Sequence, residues 1–318
     1  MDEIYRVNHA DSTGKTMKEL HEQTRAMVLR NRESITNILE IGSSVGFLAD
    51  LILDTIPINY YIIEPSYRGT YRNNKHILHN FYENVDDTVI PANTLIISHV
   101  FEHFYNPIDI LNKISNNLHI EHFYLVWPNL EYYMQHNILH VLNTEHTYYI
   151  DNTFLVNLLG VYGFILIERE EYRGHSVLFY FRRQTNTQGI PSALSPISFK
   201  NTIVPIDSFY NTIHTTIQEW NSIIHENKGK RIFIWPASIH CLYLLQFGLS
   251  DQITGLLDNS LNKINKFIYG YNIPIYSFRD ILQQNLPDTI ILVNGGVFNA
   301  DIEAECKHAT NIQFIFAE

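Results

Sequence analysis

The chain has 318 residues, of which 45% are hydrophobic, and this length favours two domains of ordinary size, each with its own core. Its 33 Asp and Glu against 22 Lys and Arg give a net charge of -11, which argues against a nucleic-acid partner because phosphate backbones are bound by clustered cations. Only Cys241 and Cys306 are present, so a disulfide framework and a cysteine zinc site are excluded, no metal site is predicted, and a reducing cytoplasm is expected. We find neither a signal-peptide pattern nor an apolar run long enough to span a bilayer, and therefore expect a soluble protein without membrane contact.

The first part of the chain alternates predicted strands and helices. After a polar helix at 17–31, strands are predicted at 37–41, 60–64, 94–98, 123–127, 164–169 and 176–181, with helices near 46–54, 107–117 and 151–159. This alternation indicates an α/β fold with a mostly parallel sheet that is covered on both faces. Only a turn at Arg173-Gly174 separates the last two strands, which predicts that an antiparallel hairpin closes the sheet.

The second part of the chain repeats the α/β pattern on a smaller scale. Between Thr185 and Pro196 the apolar periodicity is lost, which indicates a connecting segment and predicts domains at 1–195 and 196–318. Further strands are expected at 231–235, 252–258, 289–293 and 312–316. An amphipathic helix precedes them, with apolar residues every three or four positions: Ile206, Phe209, Ile213, Ile217, Trp220 and Ile224.

A glycine motif ends the first predicted strand, with the spacing Glu40-x-Gly42-x-x-x-Gly46. The two glycines would let the backbone pass close to a bound molecule, and the amides of the next helix would face it. The second strand ends at Glu64, the place where nucleoside-binding α/β folds put a carboxylate on the ribose. Neither the dinucleotide fingerprint nor a phosphate-binding loop occurs, so a nucleoside without a pyrophosphate is predicted. The alternative is an ordinary strand-turn-helix with glycines that serve packing.

This spacing resembles the cofactor site of the S-adenosylmethionine-dependent methyltransferases of the Rossmann-like class. The resemblance implies S-adenosylmethionine as cofactor, with the glycine turn against its methionine end and the acid after the second strand on its ribose. The predicted cofactor-binding residues are Glu40, Gly42, Ser43, Gly46, Phe47, Glu64, Ser98 and His99.

Two histidine-bearing segments, 98–107 and 143–149, follow the fourth and fifth strands, where a methyl acceptor would lie in an open α/β sheet. Transfer to a hydroxyl or a carbon acid needs a base that removes a proton, and histidine suits this task near neutral pH. His103 and His146 each follow a glutamate, and this favours a catalytic role over a structural role for both. His99 is interpreted as a cofactor-side or packing residue.

The same segments resemble those of the sugar C-methyltransferases, which act on keto sugars carried by a nucleotide diphosphate. Val100 to His103 match the segment after the fourth strand, and 128–130 with 143–149 match the family's Pro-x-Leu and Tyr-His-Glu-His-x-Ser-Tyr elements. In that family the second histidine, with the tyrosine, removes a proton next to the ketone, which implies that His146 is the base. Asn143 and Thr144 replace the family's tyrosine and first histidine, so O-methylation is the alternative to C-methylation.

The resemblance extends over nearly the whole chain. Segments 173–177, 229–238, 255–259 and 271–275 resemble the last hairpin and the C-terminal Rossmann-like domain of these enzymes. Their N-terminal zinc-binding module, with four cysteines, would have to precede residue 1. The expected fold is therefore a Rossmann-like methyltransferase sheet followed by a second, smaller Rossmann-like α/β domain.

The resulting hypothesis is an S-adenosylmethionine-dependent methyltransferase that acts on a nucleotide-linked sugar. The alternative is a non-catalytic scaffold that binds the cofactor or a sugar nucleotide in a polysaccharide pathway. Trp127 is interpreted as a wall of the acceptor pocket or as core, and the amides near Ala237 and Ser238 as a diphosphate site or as mere support. Catalytic roles are predicted for His146, Glu145 and His103, and substrate contacts for Asn143, Tyr149, Trp127, His175, Ala237 and Ser238.

Overall fold

The structure is a computed structural model that describes residues 15–138, 143, 145–184, 206–284 and 286–317. These residues form two compact units. The first contains the described residues of 15–130 and 145–184, and the second contains those of 131–143 and 206–317.

A seven-stranded sheet organises the first unit, in the order β3-β2-β1-β4-β5-β7-β6. Strand β7 runs antiparallel to both of its neighbours, whereas the other pairs are parallel, which confirms the predicted closing hairpin. The strands are β1 (Asn37–Ile41), β2 (Asn59–Ile63), β3 (Lys75–Leu78), β4 (Thr94–Ser98), β5 (His122–Pro128), β6 (Phe164–Tyr172) and β7 (Ser176–Arg183). The helices of the first unit are α1 (Lys15–Leu29), α2 (Phe47–Leu53), α3 (Pro107–Asn116) and α5 (Asn152–Val161).

Apolar side chains cover both faces of this sheet. Successive residues of a strand point to opposite faces, so Leu39 and Ile41 belong to one buried cluster and Ile38 to another. The central strands read as nearly continuous apolar runs for this reason, as expected of a parallel sheet buried on both sides.

Strand β3 was not predicted, because its four residues include a lysine and a histidine. Lys75 is buried with 5% exposure, and its ammonium group lies 2.5 Å from a carboxylate oxygen of Asp50 in α2. This ion pair allows a charged residue inside the strand. The sequence of β3 has no apolar periodicity, so the strand was not recognisable from the sequence.

The second unit has a five-stranded parallel sheet in the order β10-β9-β8-β11-β12. The predicted amphipathic helix is present, and its apolar stripe from Phe209 to Ile224 is buried. The fold-class prediction, two successive Rossmann-like α/β sheets, is confirmed. The strands are β8 (Arg231–Trp235), β9 (Gly255–Leu257), β10 (Ile275–Tyr276), β11 (Thr289–Val293) and β12 (Ile312–Phe316). The helices of this unit are α4 (Leu130–Gln135, with Leu130 in the first unit), α6 (Ile206–Glu226), α7 (Ile239–Gln246), α8 (Phe278–Gln284) and α9 (Asn299–Cys306).

One edge of the first sheet collects the carboxyl ends of β1, β2, β4 and β5, because these strands are parallel. The antiparallel β7 begins at the same edge, where Ser176 pairs with Pro128. The glycine bend and both histidine segments therefore follow strands that end there. Within the described residues, no helix is both long and apolar enough to cross a membrane.

Candidate active site

The glycine bend between β1 and α2 needs glycine for two local reasons. Gly42 and Gly46 have φ angles of 73° and 71°. Residues with a Cβ rarely adopt this backbone conformation. A Cβ on Gly42 would lie 2.3 Å from Val100 Cγ2, and one on Gly46 would lie 2.5 Å from the hydroxyl of Tyr67. At these two positions glycine is therefore needed because of the close approach of Val100 and Tyr67, in addition to the backbone conformation.

Glu64 lies directly beside this bend, at the end of β2. One carboxylate oxygen accepts a hydrogen bond from the Ser44 amide at 3.0 Å, and the other accepts from the Ser66 amide at 2.9 Å. The side chain is 7% exposed. Backbone amides thus fix an acceptor next to the glycine bend, and this arrangement fits a nucleoside whose ribose hydroxyls donate to Glu64.

Glu40 supports the bend from the end of β1. It accepts hydrogen bonds of 2.9 Å from the Ser43 and Tyr60 hydroxyls. Burial raises the pKa of Glu40 to about 7, against the lowering effect of these two donors. Phe47 begins α2, and its ring lies 5.8 Å from that of His21.

Two polar residues lie at the end of β4: Ser98 is the last residue of the strand, and His99 follows it. The Ser98 hydroxyl is buried without a hydrogen-bond partner among the residues that the structure describes, so it retains a donor at the cofactor edge. His99 has a φ of 51°, and its Nδ1 donates to Glu102 at 3.2 Å. Its Nε2 lies 2.8 Å from the hydroxyl of Ser176, which ties β4 to the start of β7.

Glu102 is a site residue to which the sequence analysis gave no role. Its side chain is 1% exposed, and one oxygen, Oε2, has no partner within the described part of the chain. Burial by itself raises the pKa of Glu102, but the hydrogen bond from His99 and the nearby rings of His103 and His146 bring the pKa below its ordinary value. The sequence signal was available, since Glu102 directly precedes His103 in the segment after β4.

The two predicted catalytic histidines lie side by side. The ring centroids of His103 and His146 are 5.0 Å apart, with the ring planes nearly perpendicular. Nδ1 of His103 donates to the backbone carbonyl of Glu145 at 3.0 Å, so Glu145 contacts this cluster through its main chain. Burial lowers the pKa of His146 to about 4, although the Glu102 carboxylate opposes this shift.

Hydrogen bonds hold the two histidine segments together. The Thr147 amide donates to the carbonyl of Glu102 at 3.0 Å, and its hydroxyl donates to the carbonyl of Phe104 at 2.7 Å. The Tyr148 hydroxyl donates to the carbonyl of Phe101. Residues more than 40 positions apart in sequence thereby share one site at the end of β4.

Trp127 has surroundings that favour the core role, one of its two predicted alternatives. It is 2% exposed, and its ring lies 6.0 Å from that of Phe101 and 6.1 Å from that of Tyr148. Trp127 therefore supports the residues that hold the histidine segments together, and its contacts are those of a core residue.

Two further predicted substrate contacts lie at the same edge of the first sheet. The Tyr149 ring is 5.7 Å from that of His146, and this tyrosine is 46% exposed. Nδ1 of His175 lies 2.6 Å from the Ser176 hydroxyl, and its ring is 5.5 Å from that of His99. Burial lowers the pKa of His175 to about 3, so this ring is neutral at ordinary pH.

The remaining predicted substrate contacts belong to the second unit: Asn143, Ala237 and Ser238. The Ala237 amide donates to the Leu257 carbonyl at 2.7 Å. The Ser238 hydroxyl caps α7 by accepting from the Cys241 amide at 3.4 Å. Both groups thus have structural bonds within their own domain, which favours the supporting role over a diphosphate site.

Family models identify the class of enzyme. Residues 14–169 match a model described as a methyltransferase domain. Residues 200–317 match a model described as a C-methyltransferase C-terminal domain. The chain is an S-adenosylmethionine-dependent methyltransferase. The predicted enzyme class and cofactor are thereby confirmed.

Solved structures similar to this methyltransferase include three other methyltransferases, all matched at low identity. The plantazolicin methyltransferase BpumL, solved with SAH and a desmethylPZN analog, is 13% identical over 57% of this chain and 88% of its own, with a TM-score of 0.42. The magnesium protoporphyrin IX methyltransferase of Synechocystis PCC 6803, solved with SAH, is 14% identical over 57% and 92%, with a TM-score of 0.41. The 1,6-didemethyltoxoflavin-N1-methyltransferase of Burkholderia thailandensis is 9% identical over 52% and 78%, with a TM-score of 0.42. No curated protein sequence matches the chain.

Proposed function

We propose that this methyltransferase transfers a methyl group from S-adenosylmethionine to a sugar carried by a nucleotide diphosphate, with His146 as general base. The cofactor supplies an electrophilic methyl group. The chain's own residues bind and orient: Glu64 accepts hydrogen bonds from the ribose hydroxyls, and the bend at Gly42 and Gly46 borders the rest of the nucleoside. Both free cysteines agree with a cytoplasmic location.

The observation that carries the proposal is the position of His146. Its loop is hydrogen-bonded to the turn that follows β4, and this places a histidine at the strand edge where α/β folds bind ligands. The match of residues 200–317 to a C-methyltransferase C-terminal domain supports an acceptor of the kind that such enzymes use.

Two acceptor atoms fit the proposed base. His146 would remove a proton from the carbon beside a ketone, and the resulting enolate carbon would take the methyl group. Alternatively, it would remove a proton from a sugar hydroxyl, and the oxygen would take the methyl group. The match to a C-methyltransferase C-terminal domain favours methylation of carbon. Asn143 favours methylation of oxygen, because it stands where the sugar C-methyltransferases have their catalytic tyrosine.

Mass spectrometry tests the substrate class directly. The enzyme is incubated with methyl-labelled S-adenosylmethionine and a panel of keto and hydroxy sugars linked to nucleotide diphosphates. We expect one panel member to gain the mass of one labelled methyl group, with fragmentation placing it on the sugar. Turnover of the free sugar alone, or methylation of the nucleotide, would contradict the proposed substrate.

His146→Ala tests the base. General acid-base catalysis contributes about 10²- to 10⁴-fold, so we expect kcat to fall by that order while cofactor affinity stays within a few-fold. His119→Ala is the matched control, because His119 is an exposed histidine of the same domain that precedes β5 at the opposite edge of the sheet. Full activity of the His146 variant would remove this residue from the mechanism.

A further inference from the structure

Three side chains at the end of β4 form a cluster with the composition of a metal site. Glu102, His103 and His146 each offer a ligand atom, and these three atoms lie within 4.8 Å of one another. Two imidazole nitrogens and one carboxylate oxygen are a common ligand set for transition-metal ions in enzymes. No metal site was predicted from the sequence, because the chain has only two cysteines and the two histidine segments lie far apart in sequence.

The Glu102 carboxylate has an unused oxygen. Its Oε1 accepts from His99, whereas Oε2 has no hydrogen-bond partner among the described residues, and the side chain is 1% exposed. A buried carboxylate oxygen without a donor is costly, since nothing replaces the water that it loses on folding. A cation bound to Oε2 would remove that cost.

His103 has one hydrogen bond of the kind that a ligating histidine makes. Its Nδ1 donates to the backbone carbonyl of Glu145, so in the neutral ring the lone pair is on Nε2. Metal-binding histidines usually donate their other ring N–H to a carbonyl or carboxylate in this way, which fixes the tautomer and the ring plane.

The cluster is assembled by bonds that need no metal. Thr147 donates through its amide to the carbonyl of Glu102, and Tyr148 donates to that of Phe101. The loop carrying His146 is thus held against the turn carrying the other two groups. A site with this degree of preorganisation does not have to be built by the ion.

We infer that Glu102, His103 and His146 bind one divalent metal ion of the Zn²⁺ type. Mg²⁺ and Ca²⁺ prefer oxygen ligands, and two of the three groups here are imidazoles. Three protein ligands leave coordination positions open for water or for an oxygen of the acceptor.

Metal binding should change the activity of the enzyme. This expectation rests on the proposed function, whereas the metal site itself does not. A histidine that gives its ring lone pair to a metal keeps N–H on the other nitrogen, so it has no lone pair left for proton transfer. If His146 is the base in the metal-free enzyme, then bound Zn²⁺ inhibits methyl transfer, and removal of the ion restores it.

Binding is tested on the full chain after dialysis against EDTA. We expect calorimetric titration with Zn²⁺ to give one site per chain, and Co²⁺ to give a visible absorption band of the same stoichiometry. Changes to groups that merely support metal ligands weaken binding about 10- to 100-fold, so Glu102→Gln and His103→Gln should weaken it at least that much. The matched control, His119→Gln, should bind like the wild type.

Two results would overturn the inference: no stoichiometric binding by the wild type, or unchanged affinity in both Glu102→Gln and His103→Gln. Circular dichroism without metal shows whether the variants fold. If neither does, His146→Gln replaces them, because His146 lies on a loop rather than in the buried turn.

Activity measurements then distinguish the metal site from the role of His146 as general base. Reversible inhibition by Zn²⁺ in proportion to occupancy is the expected result and supports both. Stoichiometric binding with activation would support the metal site and contradict His146 as base. Absence of binding, together with an inactive His146→Ala variant, would overturn the metal site and leave the base in place.

Discussion

Glu40 is a carboxyl group whose titration should be visible in the stability of the protein. Burial raises its pKa to about 7 from an ordinary value of 4.5. Between these pH values the folded chain keeps the proton and the unfolded chain loses it, so stability is full below about pH 4.5 and falls as the pH rises to about 7. A shift of this size corresponds to about 3 kcal/mol.

Glu40→Gln should abolish that part of the pH dependence. The glutamine carbonyl still accepts from Ser43 and Tyr60, and it carries no titrating proton. We expect the free energy of unfolding of the variant, relative to wild type, to increase by about 3 kcal/mol between pH 4.5 and pH 8, as measured by urea unfolding without cofactor. Glu33→Gln, at an exposed position, is the control. Parallel pH profiles for wild type and Glu40→Gln would contradict the assignment.

Single residues were predictable where a backbone rule required them. The two glycines of the bend and Glu64 stand at fixed distances from strand ends. In the structure the two glycines have positive φ angles, and Glu64 lies beside the bend. The sequence does not show which carboxylates are buried or which tautomer a histidine adopts. Glu102 and Glu145 both precede a histidine, and only the folded chain distinguishes the buried carboxylate of Glu102 from the main-chain contact of Glu145.

At the scale of elements, long apolar strands were predicted well. The bounds of β1 and β4 agree with the sequence analysis to the residue, because adjacent apolar residues form the middle of both strands. Short or polar elements were missed: β3 depends on the pairing of Lys75 with Asp50, and β10 has only two residues. Such elements exist through contacts distant in sequence, which periodicity does not register.

Arg183 joins two elements of the first unit, the end of β7 and the end of α3. Its guanidinium group is half-buried and donates to main-chain carbonyls in the last turn of the helix, which lack intrahelical partners, and to carbonyls of the segment that follows the helix. The bonds range from 2.6 to 3.1 Å, and the acceptors are the carbonyls of Ile114, Ser115, Asn117 and Ile120.

Arg183→Met should therefore destabilise the protein although it keeps the apolar stem. Hydrogen bonds to a charged group contribute about 1.5 to 3 kcal/mol, and we expect a loss of about 3 kcal/mol in the free energy of unfolding. Chemical denaturation measures it. The neighbouring Arg182→Met, at an exposed position, should change stability by less than about 0.5 kcal/mol. Equal effects of the two substitutions would show that the carbonyl contacts of Arg183 contribute little.

At the scale of the whole molecule, the sequence predicted two α/β domains divided near residue 195. The structure has one sheet on each side of this position, because each sheet needs its own set of apolar strands and covering helices. It also groups residues 131–138 and 143 with the second unit. The composition of the chain does not change at these residues, so the sequence did not indicate that they group with the second unit.

A crystal structure with S-adenosylhomocysteine tests the central claim most directly, namely that the cofactor lies at the carboxyl edge of the first sheet. We predict that both ribose hydroxyls lie about 3 Å from the carboxylate oxygens of Glu64, with the homocysteine end beside Gly42 and Gly46. Empty density beside the glycine bend, or adenosine bound in the second unit, would contradict this account.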